Sequence, residues 1–257
     1  MPVVPDSITL PAGAHAADIV VDEATKVIEG VTVLDRVSFT ARPGVVTAFL
    51  GPNGAGKSTT LRAILGIDHL TGGRATIGGR PFRDYRQPLR VVGAHLTPDA
   101  SHPRRTARGH LRVVAASNGL PRSSVQWALQ LAGIDGIADV PVGRMSLGMR
   151  QRLGLAAALI GDPAVLILDE PHNGLDAAAI RWLRAVLRAL AAAGRTVLLS
   201  SHLMSEIELI CDDIVVIDGG RLLAATTLVD FLGGARGPGP GRRVSLEERY
   251  LDLVGEL

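Results

Sequence analysis

Between residues 19 and 50 short apolar, β-branched runs recur with polar residues between them: Ile19-Val20-Val21, Val31-Thr32-Val33, Val37-Ser38-Phe39-Thr40 and Val45-Val46-Thr47-Ala48-Phe49-Leu50. Runs of this length and type predict strands. The turn Arg42-Pro43-Gly44 divides the last two. Further strands are predicted at 74–77 and 91–95. The period then lengthens: 106–132 reads as helix, broken at Asn118-Gly119-Leu120-Pro121, and this block is the expected inserted lobe. Past Asp139 helices at 147–160 and 177–193 alternate with strands at 164–168, 196–200 and 214–217. In the second of these helices Ile180, Leu183, Val186, Leu187 and Leu190 share a face opposite Arg181, Arg184 and Arg188. That is the stripe of a helix lying on a sheet, and alternation of this kind belongs to an α/β domain.

At 257 residues the chain has room for one large α/β domain or a domain carrying a smaller lobe. Residues 1–17 carry Pro and Ala without periodicity and read as a tail. Residues 18–232 read as the main domain, its helical lobe near 100–150, and 233–257 as a Gly/Pro-rich linker (233–242) with a last short helix near 246–254. Hydrophobic residues make up 47% and aromatics only 3%, so the core must be built from Ala, Val, Leu and Ile. A net charge of +2 gives no broad basic field, and no nucleic-acid partner is expected. Nearly all the positive charge is Arg, since Lys26 and Lys57 are the only lysines. The single cysteine, Cys211, leaves no intrachain disulfide, fits a reducing compartment and reads as a small buried filler. The N-terminus lacks the basic start and long apolar run of a signal peptide. No stretch approaches the ~18 apolar residues that span a bilayer. Any membrane role is therefore expected to run through a partner.

Candidate chemistry begins at Gly51-Pro52-Asn53-Gly54-Ala55-Gly56-Lys57-Ser58-Thr59, a Gly-x-x-x-x-Gly-Lys-Ser phosphate loop between a predicted strand and a helical segment. Its glycines let backbone N–H groups turn inward around a triphosphate, and the helix start adds positive dipole. Lys57 is expected to reach the β- and γ-phosphates of ATP, and the Ser58 hydroxyl to ligate Mg²⁺. A second feature is Val165-Leu166-Ile167-Leu168-Asp169-Glu170, an apolar run ending in two carboxylates. A strand buried on both faces of a parallel sheet runs apolar, and ligands gather at its carboxyl end. Asp169 is expected to hold Mg²⁺ through water, and Glu170 to orient or deprotonate the attacking water.

Together with Met145-Ser146-Leu147-Gly148-Met149-Arg150-Gln151-Arg152, these motifs resemble the nucleotide-binding domains of the ATP-binding cassette (ABC) transporter family, over residues from about 18 to 220. The resemblance implies an α/β fold: a phosphate-loop NTPase core with an N-terminal antiparallel β edge and an inserted α-helical lobe. It implies that Ser146 and Gly148 belong to the signature loop, which contacts the γ-phosphate of ATP held by the other subunit. Asn173-Gly174-Leu175-Asp176 matches the D-loop at the dimer interface, and His202 in Leu199-Ser200-Ser201-His202 matches the switch histidine. On this likeness Glu170, His202 and Lys57 are catalytic. Gly51 to Thr59, Ser146, Gly148 and Asp176 bind nucleotide, while Ser58, Asp169 and Thr97 serve the metal. The implied assembly is a homodimer or a paired ABC subunit, cytoplasmic and peripheral on the inner face of the cell membrane. Integral membrane permease subunits would convert its ATP hydrolysis into export.

The match is not uniform. The usual signature is Leu-Ser-Gly-Gly-Gln, so Leu147 replaces the first Gly and Met149 the Gln, a form similar to bacterial exporters of antibiotics and peptides. Ile28 falls where most members stack adenine on an aromatic ring, and no aromatic occurs before Phe39. Modest selectivity for ATP over GTP is expected; alternatively, Ile28 packs its apolar surface on the base. The family's Q-loop glutamine falls near Thr97, with Asp99 as the alternative. His172 stands where Thr is common. Arg104, Arg105, Arg108 and Arg112 read as a solvated basic face, or as a docking patch for a permease loop near anionic headgroups. The rival reading is a soluble ABC ATPase acting on ribosome or DNA, whose members carry tandem cassettes or a long coiled-coil insertion. A small-molecule kinase would need neither the Ser146 loop nor His202.

Overall fold

The computed structural model describes residues 16–97, 101–233 and 244–255. β1 (Ile19–Ile28) and β2 (Val31–Ala41) form a hairpin, β3 (Val46–Leu50) runs through the glycine loop into α1 (Lys57–Ile64), and β4 (Gly72–Ile77) returns to pair with β1. A single turn, α2 (Pro88–Val91), precedes β5 (Val92–His95) and the helices α3 (Ala107–Ser117) and α4 (Ser123–Leu131). Then come α5 (Leu147–Leu159), β6 (Val165–Leu168), α6 (Ala177–Ala192) and β7 (Thr196–Ser200). The remaining elements are α7 (Met204–Glu208), β8 (Asp213–Asp218), β9 (Arg221–Thr227), α8 (Leu228–Leu232) and α9 (Leu246–Gly255).

Two sheets result. The antiparallel one has the order β2-β1-β4, and the larger one the order β5-β6-β7-β3-β8-β9, parallel except for the β9 edge. Strands β3, β6 and β7 are buried at every position, which is why they read as unbroken apolar runs. Their register sets the chemistry. His95 pairs with Leu168, Leu168 with Leu199, and Ser200 with Phe49, so the ends of β5, β6, β7 and β3 lie side by side. The glycine loop and the Asp169-Glu170 pair therefore leave the sheet at one edge.

The larger sheet separates two cores. One holds Leu111, Leu129, Leu153, Trp182 and Leu187 on the helical side. The other holds Ile19, Leu34, Phe49 and Ile77 beneath the antiparallel sheet. Within β3 alone, Ala48 and Leu50 face the first and Phe49 the second. The helical lobe is fastened at two points: Trp182 Nε1 donates to Leu131 O (3.0 Å), and Arg152 Nη1 donates to Ala132 O (2.8 Å). The Arg152 guanidinium also lies 4.5 Å over the Trp182 ring.

One expectation needs correction, and three short elements went unread. The runs 31–33 and 37–40 belong to one strand, β2, not two. Arg36 there has φ 50, and register shifts around Ala24 and Lys26 in β1 kink the ladder, so its apolar pattern is interrupted. On the polar face of α6, Arg184 pairs with Glu206 at 2.6 Å. Elements α7, β9 and α8, each five to seven residues long, had no readable period. The expected tail and the 233–242 linker lie almost entirely outside the described residues, as does Asp99. Among the described residues no helix is long and apolar enough to cross a membrane.

Candidate functional site

Gly51 leaves β3 so close to β8 that a Cβ there would lie 2.4 Å from Ile217 O. At Gly56 a Cβ would lie 2.6 Å from Leu34 Cδ2, and φ is 103, so both positions demand glycine. The loop is closed by Ala55 N donating to Pro52 O (3.2 Å) and by both Thr60 N and Thr60 Oγ1 donating to Gly56 O (2.9 Å each). Lys57 is buried, and its Nζ donates to Gly51 O (2.6 Å) and Pro52 O (3.1 Å). Burial lowers its pKa, while the nearby Glu170 and Asp169 charges oppose that shift. The start of α1 has no side-chain cap, so its free N–H groups and the Lys57 charge together suit a phosphate.

Asp169 and Glu170 follow β6, and Ser200 at the end of β7 stands between them. The Ser200 hydroxyl donates to Asp169 Oδ1 (2.5 Å) and accepts from Glu170 N (2.9 Å). Glu170 has φ 48, a conformation that costs a residue with a side chain about 1 kcal/mol or more. Its Oε2 lies 2.7 Å from His202 Nδ1, with His202 largely exposed and Glu170 half-buried.

The helix-start residues occupy a neighbouring position. Ser146 caps α5, its Oγ accepting from Met149 N (3.2 Å), and Asp176 caps α6, its Oδ1 accepting from Ala179 N (2.7 Å). Gly148 passes close to the D-loop backbone: a Cβ there would lie 3.0 Å from Gly174 O. One turn along α5, Gln151 Nε2 donates to Asn173 O (3.1 Å), and its Oε1 bonds His95 Nε2. Neither Gln151 nor His95 was singled out from the sequence.

Gly54, Lys57, Ser58, Leu147, Asp169 and Glu170 are among the residues around a cavity of about 410 Å³. The Ser58 hydroxyl and the Asp169 carboxylate are oxygen donors, and among the described residues no cluster of three His, Cys, Asp or Glu could hold a metal unaided. That donor set fits Mg²⁺, which binds through one or two protein oxygens together with substrate phosphates.

Comparison with known proteins agrees with this geometry. The ABC transporter family model matches residues 34–173. The chain belongs to the ABC transporter family. It is 41% identical over 209 residues to the ABC transporter ATP-binding protein YhcH of Bacillus subtilis (strain 168), covering 80% of this chain and 68% of that one. It is 43% identical over 202 residues to the Nod factor export ATP-binding protein I of Burkholderia pseudomallei (strain 1710b), covering 75% and 65%. The chain thus spans about two thirds of the length of these relatives. Among solved structures, an ATP-binding subunit of an ABC transporter superposes with a TM-score of 0.82 at 29% identity, covering 92% of this chain and 99% of that one. The protein is an ABC ATPase, and its two sheets and helical lobe are those of a cassette.

Within the cassette, the structure brings Lys57, Ser58, Asp169, Glu170 and His202 to one edge of the sheet. It brings Leu96 to the cavity wall, with the neighbouring Thr97 exposed. Ile28 and Val31 are exposed at the β1–β2 tip (45% and 66%), and Val33 reaches the cavity. Arg104, Arg105 and Arg112 are exposed, but Arg108 is half-buried and bonded to Asp139 and Gln126, each at 3.2 Å. His172 is buried, and desolvation pushes its pKa down to about 4. Ser200 was read only as context for His202. The available signal was a polar residue ending an apolar parallel strand.

Proposed function

We propose that this cassette binds ATP with Mg²⁺, pairs head to tail with a second copy or a related ABC subunit, and powers export by separate permease subunits. It would work at the inner face of the cell membrane. Residues 18–232 act as the working unit, with 1–17 and 233–257 appended. What supports this is the division of the site. Lys57, Ser58, Asp169 and Glu170 surround one cavity, and His202 bonds its Glu170. Ser146 and Gly148 make a second helix start suited to an anion; Leu147 between them borders that cavity, but neither Ser146 nor Gly148 lines it. A site divided this way is completed by another copy's helix start.

ATP is the substrate, its triphosphate held by the 51–59 loop and Lys57. Ser58 and Asp169 would hold Mg²⁺, with Thr97 as a further contact; when bound, the metal neutralises charge on the β- and γ-phosphates. Glu170 orients the attacking water and takes its proton as the water oxygen bonds to the γ-phosphorus. The bond from that phosphorus to the bridging oxygen breaks, and ADP leaves. His202, 2.7 Å from Glu170, steadies the base and reaches the γ-phosphate. Asp176 belongs to the surface that meets the partner. Export is supported by the relative named for Nod factor export, and the ribosome or DNA reading has no such support.

The test is the Glu170→Gln variant with ATP and Mg²⁺, followed by size-exclusion chromatography with light scattering. A stable ATP-dependent dimer without turnover is expected. A monomer that hydrolyses ATP at the original rate removes both the base and the pairing.

A further inference from the structure

Leu147, Gln151 and Gly154 stand at i, i+4 and i+7 and so share one face of α5. That face is keyed to two other elements. Leu147 lies so close to the D-loop that a Cβ on Gly174 would be 2.3 Å from its Cδ2. Gln151 is buried and donates to Asn173 O. With the amide nitrogen engaged there, its Oε1 faces His95, so the imidazole carries its proton on Nε2. Gly154 leaves the space that the imidazole fills: a Cβ there would lie 2.1 Å from His95 Cε1. His95 ends β5, and its carbonyl accepts from Asp169 N at 2.9 Å. A buried line of hydrogen bonds thus runs from the strand end beside Asp169, through α5, to the D-loop.

We propose that His95 and Gln151 are positioning residues that lock the signature loop to the D-loop, presenting Ser146 and Asp176 to the partner copy as one unit. A fully satisfied buried network rigidifies the elements it joins. Leu147 adds to the lock, because the side chain that departs from the family signature is accommodated by the bare backbone of Gly174. The inference rests on the reading that Ser146 serves nucleotide held by a second copy.

Three variants separate this role from plain packing. His95→Gln places an amide nitrogen where the imidazole Nε2 stands, His95→Leu removes the donor, and Gln151→Glu keeps an acceptor for His95 but loses the donor to Asn173. Turnover is measured in the otherwise unaltered protein, and ATP-driven dimerisation in the Glu170→Gln background. His95→Leu and Gln151→Glu are expected to lower kcat about tenfold, the rate equivalent of one well-made hydrogen bond, and to weaken dimerisation similarly. The KM for ATP should stay within about twofold in each, because the phosphate loop and Lys57 are untouched. His95→Gln should retain both activities. Wild-type kcat and dimerisation in His95→Leu, or a loss in His95→Gln equal to that in His95→Leu, overturns the proposal. If Gln151→Glu does not fold, the two His95 variants carry the test. If Glu170→Gln alone fails to dimerise, the head-to-tail reading is at fault instead.

Discussion

The Ser200 hydroxyl donates to Asp169 Oδ1 at 2.5 Å, and the same oxygen accepts from the backbone N–H of Glu170 at 2.9 Å. One fully buried side chain on β7 therefore holds the Asp169 carboxylate and the Glu170 backbone at the end of β6. Ser200→Ala removes a hydrogen bond to a charged group, a change of about 1.5–3 kcal/mol. The expected result is a kcat lower by about ten- to a hundredfold with a smaller change in KM, read by steady-state ATPase assay. An unchanged kcat would show that the carboxylates need no such support.

Base selectivity follows from the β1–β2 tip, where Ile28 and Val31 present exposed apolar surface and no ring. Because base–aromatic stacking is worth about 1–3 kcal/mol, ATP should be preferred over GTP by less than about 50-fold in competition binding. Ile28→Tyr should tighten both nucleotides. A larger native preference would mean that another element reads the base.

Burial holds His172 neutral, with its pKa near 4 against the usual 6.5. The unfolded chain therefore takes up a proton that the folded one refuses between those values, and stability falls as pH drops from 6.5 to 4. The loss from this residue is at most about 3 kcal/mol. His95 and His110, also lowered by burial, act in the same sense. Urea midpoints measured from pH 7 to 4.5 should decline, and less steeply in His172→Thr. Equal slopes would place the acid sensitivity elsewhere.

Thr97→Gln tests the departure at the Q-loop. The side chain is exposed immediately after the cavity-lining Leu96, so a longer amide should alter basal or partner-stimulated ATPase. If neither moves, this position has no part in turnover.

Much of this site was legible in the sequence because its residues sit at strand ends and helix starts. Gly51 to Thr59 and Asp169-Glu170 were marked by unbroken apolar runs of the kind that buried parallel strands carry, and β3 and β6 are buried throughout. Ser146 and Asp176, read there as signature-loop and D-loop residues, prove to cap α5 and α6. Ser200, His95 and Gln151 were not legible, since each acts through a partner 22 to 56 residues away. Sheet register decides those meetings, and local pattern carries no record of it. The single strand β2 was misread for a related reason: its kink at Arg36 breaks the period that defines a strand.

The central claim is that each reaction centre takes its phosphate loop from one copy and its signature loop from another. Lys57→Ala should abolish turnover by removing the ammonium from the phosphate loop. Ser146→Asp keeps a helix cap but sets a carboxylate against the incoming phosphate, and should abolish it too. In an equal mixture, about half the dimers pair one variant with the other, and each has one intact loop of each kind facing its mate, as two-fold symmetry requires. The ATPase rate of the mixture should recover to about a quarter of the native value if the two sites act independently. A mixture as inactive as its two components would contradict the account.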